Sequence, residues 1–407
     1  MIRLSSVGAL AALALLWPAS GGAELTLDLD QALAHAREHA PAILAARARI
    51  DEARGRLVGA SVLLRDNPIL EATGGRRLSR DGNSNDVDTT LTQQFELGGR
   101  RGARIRGAEA GIARETASSH DEARLLLRDV ASAFWRAVAA QERLRLVRMH
   151  ERLTSDLERT AERRHQLGDI ADLDRNLAAV AAARARAGVH AAKGIAGTAV
   201  GELQVLLGMD ASESLAVRGD LGRCQHHELD AMLARAGDRP DLHAVAAEIQ
   251  EAEADVGLGE GVRWPDVGIV AGYRRDTDDN IPLVGFTMTL PLFSRGQELR
   301  ATGTARASRL HTELAAKRRA AEIEVRTAFD EYERRCAAVD ELTRSAVPRL
   351  DENEQLAQRS YDAREISFPE LLILQREALG TRTEYVDRLL DVSLAGVELE
   401  ARAGVLR

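Results

Sequence analysis

Val87-Asp88-Thr89-Thr90-Leu91-Thr92-Gln93-Gln94-Phe95-Glu96-Leu97 changes sides at nearly every residue. Val87, Thr89, Leu91, Phe95 and Leu97 fall on one face of an extended chain, and Asp88, Thr90, Thr92, Gln94 and Glu96 on the other. Alternation of this kind marks a strand between two different environments. It returns in the second half of the chain, where Val284, Phe286, Met288, Leu290 and Leu292 alternate with Gly285, Thr287 and Thr289. Each run is preceded by a second candidate strand: Leu70, Ala72 and Gly74 in one case, Val267, Ile269, Ala271 and Tyr273 in the other. The polar loops Ser79 to Asp86 and Arg275 to Asn280 supply the Asp, Asn and Gly that turns need. Two hairpins are therefore expected, over about 68–97 and 265–293. Strands of roughly ten residues, apolar on one side and small or polar on the other, suit a tilted bilayer crossing with lipid outside and water inside. A soluble hairpin laid on a helical layer would use the same pattern, with Phe95, Tyr273, Phe286 and Phe293 as core.

The hairpins belong to a repeat of roughly 195 to 200 residues. Leu29-Asp30, Leu33-Ala34, Ala36 and Pro41 recur as Leu229-Asp230, Leu233-Ala234, Ala236 and Pro240. Ile50, Glu52 and Ala53 recur as Ile249, Glu251 and Ala252, and Pro68 recurs as Pro265. After each hairpin the period becomes helical. Leu127, Ala131, Phe134 and Val138 step along a coiled-coil-like seam. They lie in a proline-free stretch from about Arg100 to Leu167, which as helix would span on the order of 100 Å. Gly168 marks a reversal, and a return helix is expected from about Asp172 to Leu207. The second copy predicts a helix from about Arg295 to Arg364 and a return from Pro369 to near Gly404. Pro348 should kink or break that second long helix, and the first copy has no counterpart. The expected division is a leader over 1–23, a first repeat over 24–220 and a second over 221–407.

The leader is read from Arg3, the short apolar core Val7 to Trp17 and the small residues Gly21-Gly22-Ala23 before an expected cleavage. Beyond it no apolar run reaches about 18 residues, so any membrane crossing must come from strands. Aromatics make up only 3% and Ala is abundant, which suits long helices packed through small side chains. A net charge of −8 gives no field that would draw nucleic acid. Cys224 and Cys336 are the only cysteines, too few for a disulfide scaffold or a zinc ribbon. A single disulfide between them is open, although the strongly helical surroundings of Cys336 argue against it. His35-Ala36-Arg37-Glu38-His39 matches the H-x-x-E-H pattern of a zinc hydrolase, but the segment is short, ends at Pro41 and has no His pair in the second copy. His226-His227 lies between the repeats and reads as a solvated pair. Gly98-Gly99-Arg100-Arg101-Gly102 lacks the Lys-Ser/Thr of a phosphate loop. Nothing ties a nucleophile to a base, so neither catalysis nor a cofactor nor a bound metal is expected.

Four strands cannot close, and an open sheet edge in hydrocarbon leaves backbone groups unpaired at several kcal/mol each. The smallest bacterial barrels have about eight strands, so several copies must share one barrel. With its two-fold repeat, helix–hairpin–helix order and helical-hairpin tips, essentially the whole mature chain resembles the TolC, or outer membrane efflux protein, family. Gln94 to Arg101, followed by Arg104, resembles the strand-to-helix junction of that family's heavy-metal branch, the CzcC-like proteins. The resemblance implies an α+β membrane protein in which three protomers join four strands each into a 12-stranded barrel above a long α-helical coiled-coil barrel. It implies a homotrimeric, passive export channel in the outer membrane with a large periplasmic portion. Heavy-metal cations are the implied cargo, with drugs or other small molecules as the alternative. A periplasmic adaptor and an inner-membrane RND-type pump are the implied partners, with outer-membrane lipid around the strands and no nucleic acid. A periplasmic adaptor is the competing class. No lipid-acceptor Cys follows the leader, which separates the chain from the acylated multidrug members.

Matched by position to the family's periplasmic gate, Asp174 and Glu370 correspond to carboxylates that ring the narrow opening, and Tyr361 to a tyrosine of the gate network. Gly168 corresponds to the tip glycine, and Arg364 takes its place in the second copy. Asp169 and Glu365 would add to the acidic ring, whereas Ile366 stands where the TolC tip has an arginine, so that link should be missing. A ring of carboxylates favours cations. The plainer reading is that acids beside a helix start cap it and answer its dipole. At the opposite end Glu96, Gly98, Gly99 and Arg100 are expected to shape the strand-to-helix junction, the glycines letting the chain swing between the two.

Overall fold

A computed structural model describes residues 25–79, 82–222, 224–276 and 279–406. The expected leader lies outside the described residues. The first half runs β1 (Leu25–Leu27), α1 (Leu29–His39), α2 (Pro41–Ser61), β2 (Ile69–Ser79), β3 (Gly82–Phe95), α3 (Arg100–Gln166) and α4 (Asp172–Leu207). The second half repeats the order as β4 (Leu215–Val217), α5 (Leu229–Ala236), α6 (Pro240–Gly261), β5 (Asp266–Asp276), β6 (Asp279–Thr289), α7 (Gln297–Glu341), α8 (Val347–Asp362) and α9 (Phe368–Ala403). The paired prolines open α2 and α6, where a missing N–H costs nothing. Asp28 caps α1 through a reciprocal box with Gln31. β1 and β4 pair in parallel, Leu25 opposite Leu215, so the starts of the two halves are stitched together.

The hairpins form one antiparallel sheet in the order β2-β3-β5-β6. Residues opposite one another share a face, so Leu70, Leu91, Ala271 and Val284 form one row and Phe95, Val267 and Met288 another. That face is open: Val284 is 87% and Phe286 73% exposed. Phe95, Tyr273 and Phe293 are exposed too, so the soluble-hairpin alternative, which needs them as core, does not hold. The other face is polar, with Arg274 donating to Asp88 at 2.6 Å. Pairing runs further than the turn residues suggested, to Ser79 opposite Gly82 and Asp276 opposite Asp279. Arg77 explains why, bridging Asp86 at 2.9 Å and Asp276 at 2.7 Å across neighbouring strands. Most of the expected loop is therefore strand. β2 and β6 each pair on one side only. Among the described residues no helix is long and apolar enough to cross a membrane.

α3 is unbroken for 67 residues, about 100 Å. Its counterpart is interrupted where Pro348 predicts it. α7 ends at Glu341, a π-helical turn spans Leu342–Ala346, and the proline sits in the first turn of α8. The extra residue per turn accommodates a ring that would otherwise strike the preceding turn. The main core lies mid-length, where Val130, Phe134, Leu203 and Leu207 pack with Leu27 and Leu33. Nearby, Cys224 and Cys336 form a disulfide, Cα atoms 5.7 Å apart. The helical setting of Cys336 is no obstacle, because its partner sits on an extended segment laid along α7. Tyr332, one turn before, clasps the same segment, accepting from the Gln225 amide at 2.6 Å and donating to its carbonyl at 3.0 Å.

Candidate functional site

Two places carry the residues singled out by sequence: the helical tips, and the junctions between strands and long helices. At the first tip α3 ends in a reversal at Gly168, with φ of 77°. The Gly168 amide donates to His165 and the Asp169 amide to Arg164 at 2.8 Å, satisfying the last carbonyls of α3. The second tip makes the same turn. Arg364 has φ of 64°, alone among the described non-glycine residues in being positive, and the Glu365 amide donates to Ser360 at 2.8 Å. Arg364 is thus the structural counterpart of Gly168, as its sequence position implied. A side chain in the left-handed region costs about 1 kcal/mol. The Arg364→Gly variant should therefore firm the tip, with amides around 360–366 exchanging roughly fivefold more slowly with deuterium. Unchanged exchange would show that the weak 3.7 Å pair of Arg364 with Asp169 offsets the strain.

The two tips touch. Leu157, Ala161 and Ala178 from the first pack with Ala357, Phe368 and Leu371 from the second. Tyr361 lies 5.8 Å from Phe368, centroid to centroid, and takes a hydrogen bond from Arg164 at 3.3 Å. Arg164 also pairs with Asp169 at 3.6 Å and stands over the Tyr361 ring. Ile366 joins this apolar cluster rather than making a polar link. Glu370 closes a capping box on α9, its carboxylate accepting from the Ser367 amide at 2.7 Å and the Ser367 hydroxyl at 2.8 Å. Those donors hold its pKa below the usual carboxylate value. Glu365 accepts from the Ser360 hydroxyl. Asp174, in the first turn of α4, has no side-chain hydrogen bond or ion pair among the described residues. Arg164 was missed by sequence reading. The S-x-x-E box at Ser367–Glu370 was legible in principle.

At the other end Glu96 binds Arg104 at 2.6 Å, both largely buried, and Arg65 approaches Glu96 at 3.7 Å. Arg100 donates to the Leu97 carbonyl and forms an ion pair with Asp266 at the start of β5, tying the first junction to the second hairpin. Gly98 and Gly99 both have positive φ, and Gly99 caps α3 as Gly296 caps α7. A Cβ on Gly98 would lie 2.6 Å from both the Gly261 carbonyl and the Trp264 ring. One on Gly296 would fall inside van der Waals contact of the Gly259 carbonyl. Both junctions therefore press against the end of α6, whose glycines were not anticipated. Their signal was present as Gly257-Leu258-Gly259-Glu260-Gly261, a helix end without side chains.

Elsewhere, His35 and His39 stack with ring centroids 4.4 Å apart. Among the described residues no cluster of three or more His, Cys, Asp or Glu is arranged to hold a metal ion.

Residues 32–209 match the family model described as outer membrane efflux protein. The chain is 24% identical over 365 residues to the cobalt-zinc-cadmium resistance protein CzcC of Cupriavidus metallidurans, covering 88% of this chain and 86% of that protein. It is 31% identical over 272 residues to the nickel and cobalt resistance protein CnrC of the same organism, covering 63% and 62%. Among solved structures the fold is similar to a membrane protein from Pseudomonas aeruginosa, with a TM-score of 0.77, 19% identity, and 92% and 93% of the two chains covered. It is also similar to CusC, described with transmembrane channel formation, with a TM-score of 0.76, 17% identity, and 92% and 91% covered. The matched region spans the first copy of a fold that the second half repeats element by element, so the first half of the chain carries an outer membrane efflux protein domain.

Proposed function

We propose that the chain is the outer-membrane channel subunit of a tripartite efflux system. Three copies form a passive duct without catalytic activity of its own. Each contributes two repeats, 24–220 and 221–407. The observation that carries this reading is the four-stranded sheet: one face exposed and apolar, the other polar, both edges half-paired, set on long helices of which α3 spans about 100 Å. In lipid such edges must be closed by other copies. The relatives named for cobalt, zinc, cadmium and nickel resistance support divalent heavy-metal cations as the cargo. An inner-membrane pump of the RND type supplies the free energy, and a periplasmic adaptor joins it to the tips.

The tip cluster of Leu157, Phe368 and Leu371 is the latch, and its opening is a two-state movement of the helical hairpins biased by partner contact. Asp169, Asp174, Glu365 and Glu370, repeated in each copy, ring the opening. Asp174 is the strongest member, because Glu370 and Glu365 are already engaged in helix-end hydrogen bonds.

In planar bilayers the purified protein should conduct, with cations preferred over anions. Replacing Asp169 and Asp174 by Asn should lower that preference at least about twofold while conductance remains. Selectivity equal to wild type would remove these residues from the ring. A protein that stays in the soluble periplasm as a monomer would overturn the channel itself.

A further inference from the structure

α1 carries two histidines that the fold does not use. His35 is half-buried and His39 exposed. Among the described residues neither ring has a hydrogen bond or ion pair to another element. The second copy shows what these positions do when packing employs them. Aligned at Leu29 and Leu229, His35 and His39 become Arg235 and Arg239. Arg239 is buried and clamped, donating to Asp241 and to Glu324 at 2.9 Å each. In place of that clamp the first copy has a pair of imidazoles at the surface.

We propose that His35 and His39 form a two-histidine chelate for a divalent late-transition-metal ion, of the class Cu²⁺, Ni²⁺, Zn²⁺ or Co²⁺. The site is separate from the tips and the junctions and does not depend on the channel reading. Residues four apart on a helix stand one above the other. The two rings lie with centroids 4.4 Å and planes 20° apart. A turn about χ2, a soft torsion in His, sets one nitrogen of each ring on a common ion at about 2.0–2.1 Å. The Nδ1 of His39 lies 3.3 Å from the His35 carbonyl oxygen. A carbonyl has no proton to give, so Nδ1–H is the donor and Nε2 keeps its lone pair for a metal. A carbonyl on the far ring nitrogen is a common support of a metal-bound imidazole. The local charge also suits a cation. Glu38 and Glu213 lie close enough for their carboxylates to act on the His35 ring. Glu213 is held beside α1: a Cβ on Gly208 would lie 3.1 Å from the His39 carbonyl oxygen, and Gln204 donates to the Glu213 carbonyl at 2.8 Å. Imidazole selects these metals over Mg²⁺ and Ca²⁺, which take oxygen ligands. Two protein ligands leave water to complete the shell. That makes an exchangeable chelate, not the three-ligand centre of a zinc hydrolase.

Copper titration of the full, untagged chain tests this. The wild type should take up one Cu²⁺ per chain with two nitrogen ligands in the electron paramagnetic resonance spectrum. His35→Gln and His39→Gln should each leave one nitrogen and weaken binding at least about tenfold, because either loss removes the chelate advantage. Circular dichroism should show both variants folded. His226→Gln/His227→Gln removes the only other two histidines close in sequence and should bind as the wild type does. Excess Mg²⁺ should not displace the copper. A wild type without the two-nitrogen signal overturns the site, and so does binding that survives both single variants, follows His226 and His227, or yields to Mg²⁺. A second readout uses Ni²⁺. Bridging one helical turn should slow deuterium exchange of amides 36–40 at least about tenfold in the wild type and not in His39→Gln. Equal exchange with and without Ni²⁺ would count against the chelate.

Discussion

Gly296→Ala should all but abolish the assembled oligomer, whereas Gly99→Ala should not. The two glycines do the same job in the two halves, capping α7 and α3 with φ of 70° and 72°. Each substitution therefore meets the same backbone cost of about 1 kcal/mol. They differ in surroundings. A Cβ on Gly99 meets nothing within 4 Å, but one on Gly296 strikes the backbone carbonyl of Gly259. Both partners there are helix-end backbone, so neither can swing aside as a side chain would. The added penalty is roughly 2–3 kcal/mol or more, because separating α7 from α6 also opens the packing of Leu310 and Leu314 on Leu242 and Val245. The measurement is the heat-dependent dissociation of the detergent-solubilised oligomer for both variants side by side. Equal losses would show that the α6 glycines give way freely and that the close approach is not structural.

Reduction of the Cys224–Cys336 bond, or Cys336→Ser, should be the other large effect. The bond spans 112 residues of sequence and closes a loop that contains α5, α6, the second hairpin and most of α7. Loop-closure entropy of that size is worth about 5 kcal/mol. For a chain of this length that is roughly 6 °C in the unfolding midpoint. Tyr332 holds the same segment by two hydrogen bonds, so Tyr332→Phe should cost about 1 kcal/mol by comparison. A midpoint unmoved by a reducing agent that demonstrably opens the bond would show that Tyr332 and the β1–β4 pairing already fix the segment.

Much of the fold was legible because its signals are periodic. The alternation at Val87–Phe95 and Val284–Met288 named the faces of β3 and β6, and the sheet register bears these out, although the strands stop at Phe95 and Thr289, short of the expected Leu97 and Leu292. Pro348 announced the break before α8, and proline-free sequence announced the unbroken α3. The tips were legible by position, including the odd equivalence of Gly168 and Arg364. Strand ends were less so: Asn, Asp and Gly read as loop, and only the Arg77 bridges to Asp86 and Asp276 show why the ladder continues. The Arg164–Tyr361 contact joins residues far apart in the chain, and no local pattern announces such a pair.

Sequence alone determined the duplicated architecture and the two faces of each strand, since period and proline placement are properties of the chain itself. Tertiary structure decided the rest. It brought Cys336 to Cys224 although one sits on a helix and the other on a linker. It set both junction glycines against the end of α6, and it left one face of α2 bare where α6 is covered. These depend on which helix lies beside which. Packing over distances that local periodicity does not encode settles that choice.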